Sequence, residues 1–168
     1  MMRPNNLTNQ LSRFLAYLAG KAANGDESLP SLNDLSEELD MSVSTLREEL
    51  QVARAMGLVE VKPRTGIKCL PYHFTPAVLK SLAYAVSVEK QNFRQFSDLR
   101  SHIEASYWYQ AVSSLLPDDI QALNKIIKLA NKKLNADPIQ IPHDEHRQLH
   151  LTIYSRLENP FVQGILES

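Results

Sequence analysis

The chain has 168 residues, 43% of them hydrophobic and 22% charged, with a net charge of −1. That length holds one ordinary domain or two small ones. The composition is that of a globular protein rather than a disordered or fibrous one, and no run approaches the roughly 20 apolar residues of a membrane helix. The N-terminus lacks the basic segment and apolar core of a signal peptide. Cys69 stands alone, which fits a reducing cytoplasm; a small buried strand residue is a simpler reading of it than a redox group.

Taken in order, residues 5 to about 23 read as an opening helix. Asn5 or Asn6 caps it, and Leu7, Leu11, Phe14, Leu15 and Leu18 form an apolar stripe. Residues 24–27 are a turn. A second helix starts at Ser31, with Asp34 three positions on as in a capping box, and Leu35 and Leu39 on one face. Asp40-Met41 makes a tight turn. Ser42 is a good N-cap for a third helix, whose apolar face is Leu46, Leu50 and Ala53, and Gly57 ends it. Residues 58–61 alternate like a strand, Lys62-Pro63-Arg64-Thr65-Gly66 is a basic turn, and residues 67–70 return as a second strand. Helix, turn, helix and a two-stranded hairpin is the plan of a winged helix-turn-helix, which places one helix in the DNA major groove.

Charge does not announce that function. Residues 1–73 carry 8 Lys/Arg against 9 Asp/Glu, and residues 74–168 carry 10 against 10. Positive charge must therefore be gathered locally. Arg47, Arg54, Lys62, Arg64 and Lys68 fall on the third helix and the hairpin, while Glu37, Glu38 and Asp40 fall on the preceding helix and turn. Few phosphate contacts per chain favour a dimer on a palindrome.

Beyond Pro71 every pattern is helical, as expected for an antiparallel bundle with short loops. Thr75-Pro76 opens a helix, with Leu79, Leu82, Ala83 and Val86 apolar, to about Glu89 or Asn92. Ser97-Asp98 is expected to start a longer one through Leu115. Pro117, Asp118 and Asp119 start another, whose stripe Ile120, Leu123, Ile127, Ala130, Leu134 is the cleanest in the chain. A helix from about His143 to Leu157 follows, broken by Asn159-Pro160, and Phe161 to Ser168 begins one more. The expected fold is thus mainly α: a winged helix-turn-helix over 1–73 and an all-helical effector or dimerisation domain over 74–168.

The first part resembles the N-terminal domain of GntR-superfamily regulators. The likeness is carried by Leu29-Pro30-Ser31, Leu35-Ser36, Leu39, Ser42, Leu46-Arg47-Glu48, Leu50, Arg54, Gly57-Leu58-Val59 and Arg64-Thr65-Gly66. It implies DNA contacts from Ser42, Ser44, Thr45, Arg47, Arg64, Thr65 and Gly66, and from the positions of Asn33 and Val43, where many members carry Arg. The second part resembles the first half of the FCD effector domain of FadR-type members, through Asp98-Leu99-Arg100, Ile103-Glu104, His150 and Asn159-Pro160. That likeness implies a homodimer on a palindromic double-stranded operator, acting as a repressor in a bacterial cytoplasm, at the nucleoid when bound. It also implies a small organic acid held by Arg100, and a divalent ion, zinc or similar, held near His150. The family's acidic ligand falls on His146, and the chain stops at Ser168 before the family's later His ligands. The sequence thus reads as a fragment, or as a shortened regulator whose effector site is incomplete; the alternative is a DNA-binding, dimerising remnant without a sensor.

His146 and His150 are one turn apart, so their rings can converge on one ion. They share a face with Leu149, Ile153 and Leu157, and core histidines bonded to neighbours are the plainer reading. His143 and Asp144 add possible ligands at the helix start. The HDEH run is not the HExxH of a metalloprotease, and a metal-dependent hydrolase lacks a nucleophile or base at meaningful spacing, so no enzyme is expected. Arg100 and Glu104 form an i, i+4 pair, commonly a solvated contact. Of Tyr107, Trp108 and Tyr109, at least one should reach a pocket or interface, with Trp108 expected in the core. Lys125, Lys128, Lys132 and Lys133 read as a solvated face.

Overall fold

The structure is a computed structural model that describes residues 8–62 and 66–168. The chain divides into two compact units, residues 1–77 and 78–168. In the first, α1 (Arg13–Ala23), β1 (Ser28–Leu29), α2 (Leu32–Leu39), α3 (Val43–Ala55), β2 (Val59–Lys62) and β3 (Gly66–Cys69) follow in order. The strands form an antiparallel sheet in the order β1-β3-β2, with Leu29 opposite Ile67 and Val61 opposite Ile67 on the other side. The expected hairpin is therefore joined by a third, two-residue strand where a plain connection had been read. Backbone pairing across an open edge brings it there, and two residues are too few to show a period.

The core of this unit is Phe14, Leu18, Leu35, Leu46, Leu50, Ala53, Val59 and Ile67. Helices α1 and α3 each supply an i, i+4 pair or better, α2 supplies Leu35 with Leu32 and Leu39 packed beside it, and the sheet closes the other side. Local chemistry sets the ends. Helix α1 starts at Arg13 rather than near residue 5. Ser12 caps it, accepting from Leu15 N–H at 3.2 Å and donating to Glu49 at 2.6 Å. Leu11 stays 40% exposed, while Asn5, Asn6 and Leu7 lie outside the described residues. At α2, Ser31 and Asp34 exchange both capping-box bonds. Asp40 then takes a left-handed φ of 48° to end the helix. The Arg13 guanidinium donates to the carbonyls of Leu39 (2.7 Å) and Asp40 (3.3 Å), holding the turn.

The unit closes on the first turn of the next helix. Gly57 has φ +74°, and a Cβ there would lie 2.6 Å from Pro76 Cγ. This contact carries the boundary to residue 77, past the expected 73.

The second unit holds α4 (Thr75–Val88, which begins in the first), α5 (Gln91–Ser113), α6 (Pro117–Leu134), α7 (His143–Ile153) and α8 (Pro160–Leu166). Helix α5 begins six residues before the expected Ser97. That serine sits inside the helix with its hydroxyl donating back to Phe93 O at 2.8 Å, a local bond that makes mid-helix Ser look like a cap in sequence. The break falls at Glu89-Lys90, where Asn92 Nδ2 reaches back to Ala85 O at 2.8 Å. Helix α7 ends at Ile153, short of Leu157. Asn159 caps α8, accepting from Phe161 and Val162 N–H, with Pro160 at its first position.

The core here is small: Ala111, Tyr154, Leu157, Val162 and Leu166, with Ile103, Tyr107 and Ile153 against it. Tyr107, not Trp108, is the aromatic that packs on it. Trp108 is half exposed, edge-on to Tyr154 at 6.5 Å, and Tyr109 is 83% exposed. The α6 stripe also divides. Leu123 and Ala130 are half-buried with Ala122 and Ile126, whereas Ile120, Ile127 and Leu134 face outward. Lys133 is no solvated cation; it is bound to Glu145 at 2.7 Å. No helix among the described residues is long and apolar enough to cross a membrane.

Candidate nucleic-acid interface and effector cleft

The tip of α3 is built by a cap. Ser42 has an extended backbone, accepts from Thr45 N–H at 3.1 Å, and shares a 2.8 Å hydroxyl contact with Thr45. Leu46, Leu50 and Ala53 turn inward, so helical periodicity leaves Ser42, Ser44, Thr45, Arg47 and Glu48 outward and exposed. Val43 is half-buried. Among the described residues Arg47 has no ion-pair partner. Asn33 is exposed at the start of α2, where it lines an apolar groove with Leu32, Leu50 and Val61.

The hairpin is less basic than its sequence. Lys62 Nζ pairs with Glu60 at 2.9 Å, and Glu60 also stands opposite Lys68 in the register. Gly66 opens β3 at φ +79° with open space where a Cβ would stand, a conformation other residues adopt at a cost. Arg64 and Thr65 lie outside the described residues. Cys69 is a half-buried strand residue, and burial pushes its thiol pKa up, which suppresses the reactive thiolate.

In the second unit a cleft of about 510 Å³ opens between α5, α7 and the end of α8, a size that suits a small organic molecule. Its lining includes Arg100, Glu104, His146, Arg147, His150 and Glu167, with serines between them. Arg100 Nε pairs with Glu104 Oε1 at 3.1 Å, and both side chains are partly enclosed (31% and 21% exposed). This is a cleft-wall contact rather than the solvated pair expected. His150 Nε2 lies 3.3 Å from His146 Nε2, with the rings edge to face. His150 Nδ1 lies 3.1 Å from Glu104 Oε1. That nitrogen is buried, and the approach is off the line of a hydrogen bond, so it has no hydrogen-bond partner. His146 is exposed, as are His143 and Asp144.

The N-terminal unit is a winged helix-turn-helix. Three comparisons bear on the chain. No protein-family model matches it. It is 27% identical over 109 residues to the HTH-type transcriptional regulator LutR of Bacillus subtilis (strain 168), a match covering 65% of this chain and 49% of that protein. The chain thus spans about half the length of this curated relative. A solved structure, E. coli McbR/YncC, superposes with a TM-score of 0.41 and 22% identity, over 94% of this chain and 70% of the other.

The fold brings Ser42, Ser44, Thr45 and Arg47 to one exposed tip, and gathers Arg100, His146 and His150 at one cleft. Sequence reasoning missed two cleft residues. In sequence Glu104 pairs with Arg100, and nothing local links it to a helix over forty positions away. Arg147 has no spacing signal of its own and reaches the cleft only through the packing of α7. Among the described residues no group of three His, Cys, Asp or Glu is gathered to hold a metal. The two Nε2 atoms do stand about as far apart as two nitrogen ligands on a tetrahedral zinc, roughly 3.3 Å at bond lengths near 2.05 Å. The pair therefore supplies at most two ligands, one fewer than the three protein ligands of an open zinc site.

Proposed function

We propose that the chain is a DNA-binding transcriptional regulator of the GntR superfamily, not an enzyme. Its winged helix-turn-helix inserts the tip of α3 into the major groove, as a homodimer on a palindromic operator, in the cytoplasm. Ser42, Ser44 and Thr45 hydroxyls reach phosphates and base edges, and Arg47 reads bases. Asn33, Val43 and Gly66 supply flanking contacts, as do Arg64 and Thr65, which lie outside the described residues. The observation that carries this reading is the tip itself: three buried apolar residues hold α3 in the core while its polar first turns face out, with an exposed Arg47 that has no ion-pair partner among the described residues. The likeness to a helix-turn-helix transcriptional regulator supports it.

The helical unit senses a small organic acid in the cleft of Arg100 and Arg147, with a divalent ion such as zinc held by His146 and His150. Bound there, the ion would offer open coordination positions to a carboxylate. The operator action is repression.

The test is a fluorescence-anisotropy titration at fixed salt, using a duplex selected from a random library on the wild-type protein. Arg47→Ala should lose specific binding, a cost of about 1–3 kcal/mol for a base-reading arginine, with its circular dichroism unchanged. An unchanged affinity refutes the DNA reading of the tip. Addition of zinc and a panel of small carboxylates tests the cleft.

A further inference from the structure

Glu104 does more in the cleft than neutralise Arg100. Its Oε1 lies 3.1 Å from His150 Nδ1, off the line of a hydrogen bond, and that buried nitrogen has no hydrogen-bond partner. A bare nitrogen lone pair this close to a carboxylate oxygen is repelled in a partly enclosed site, where an unsatisfied polar atom costs the full desolvation penalty. The Nδ1 atom must therefore carry a hydrogen. In the neutral ring the lone pair is then on Nε2, the atom aimed at His146 Nε2 at 3.3 Å.

We infer that Glu104 is a positioning residue that fixes the His150 imidazole in the Nδ1–H tautomer, turning its Nε2 lone pair toward His146. Arg100, 3.1 Å away on the same carboxylate oxygen, holds Glu104 in place for that task. The chain Arg100–Glu104–His150–His146 runs from one helix, α5, to another, α7. In the absence of an ion, His146 Nε2–H donates to His150 Nε2. When a cation enters, His146 has only to move its hydrogen to Nδ1, which its exposed ring can do through water, while His150 is already set. A carboxylate behind a histidine ligand is the usual way a protein orients and strengthens that ligand. This extension rests on the proposed ion site, but the tautomer is a property of the protein by itself.

Two measurements on the full chain separate the two ideas. Long-range 1H–15N NMR of the metal-free protein at pH 8 reads the His150 tautomer, with Glu104→Gln and Glu104→Ala beside wild type. The expected result is Nδ1–H in wild type, a mixture in Glu104→Ala, and partial return in Glu104→Gln, whose side-chain oxygen still accepts. An Nε2–H tautomer in wild type, or no change in Glu104→Ala, overturns the inference. Cobalt(II) titration, followed by its visible absorption bands, then reads the site. Wild type should bind one ion, His150→Ala none, and Glu104→Ala roughly 10–100-fold more weakly. Equal binding by wild type and His150→Ala sinks the ion site itself. Tight binding that survives in Glu104→Ala but not in His150→Ala sinks only the role of Glu104.

Discussion

The two units bury their apolar residues very differently. In the first, α1, α2 and α3 each drive at least one large side chain to complete burial: Phe14, Leu35 and Leu46 are 0% exposed. In the second, α4, α6 and α7 have no buried residue at all. Its core is assembled from α5, α8 and the segment that follows α7. The difference teaches what each unit is held by. A closed apolar core gives the first a rigid frame on which a polar helix tip can be presented without moving. The second relies more on named polar links: Tyr154 to Glu104, Arg156 to Asp119, Lys133 to Glu145. Such links are directional, where apolar packing is not.

The sharpest way to break this comparison is to remove one apolar side chain from each unit. Leu46→Ala opens a cavity in a fully packed site and should cost about 2–5 kcal/mol. Hydrogen exchange read by mass spectrometry should show peptides of α1 to α3 losing protection. Ile127→Ala, at a side chain 46% exposed on α6, should stay within about 0.5 kcal/mol, helped by the helix preference of alanine. Similar losses from both variants would mean that Ile127 is covered, and that the contrast between the units is false.

The next effect in size is a single hydroxyl. Tyr154 is 4% exposed, and its O–H donates to the Glu104 carbonyl at 3.0 Å. Burial and the nearby Glu104 raise its pKa, so the group stays a donor at any ordinary pH. Tyr154→Phe keeps the ring and leaves the carbonyl with one bond fewer, at a cost of about 1 kcal/mol. Trp108 stands edge-on to Tyr154, so its fluorescence follows this unit in a urea titration. The midpoint should fall with the slope unchanged. No shift would show that the core of this unit rests on packing alone.

The same contrast explains what could be read from sequence. Features set within one turn of chain were legible: the Ser31–Asp34 capping box, the Ser42 cap, the turn at Asp40, the helix end at Gly57, and the break at Asn159-Pro160. The exposed tip of α3 followed from them, because a closed core converts an apolar stripe into a known inward face. Where no closed core does this, the stripe misleads. Ile126 and Ile127 are equally apolar neighbours, yet only Ile126 is half-buried, and tertiary packing alone decides which. Ser97 shows the converse error: a serine before an aspartate looks like a helix start, but its hydroxyl is spent within a helix already running. Glu104 beside His150 and Glu145 beside Lys133 join separate helices, and no spacing rule reaches across such gaps.

The smallest effect concerns pH. The Asp119 carboxylate accepts from Arg156 Nε at 2.9 Å, from Arg156 Nη2 at 3.0 Å and from Leu116 N–H at 2.9 Å. The Arg156 hydrogen bonds first, and the Leu116 amide second, hold its pKa below the ordinary carboxylate value. A carboxyl that is more acidic folded than unfolded stabilises the fold above the unfolded value, near 3.9, and loses that contribution as pH falls through the folded value. Wild type should therefore lose stability with acid in the region below about pH 4. Asp119→Asn should flatten that slope, because the amide does not titrate. It should not abolish the slope, since Glu145 is lowered in the same sense, chiefly by its hydrogen bond from Lys133. Bidentate arginine pairing is the geometry in which an ion pair at a surface has a measurable effect. Trp108 fluorescence in urea at a series of pH values from 2 to 7 reads it, and the same slope in wild type and Asp119→Asn would remove this link from those that hold the helical unit together.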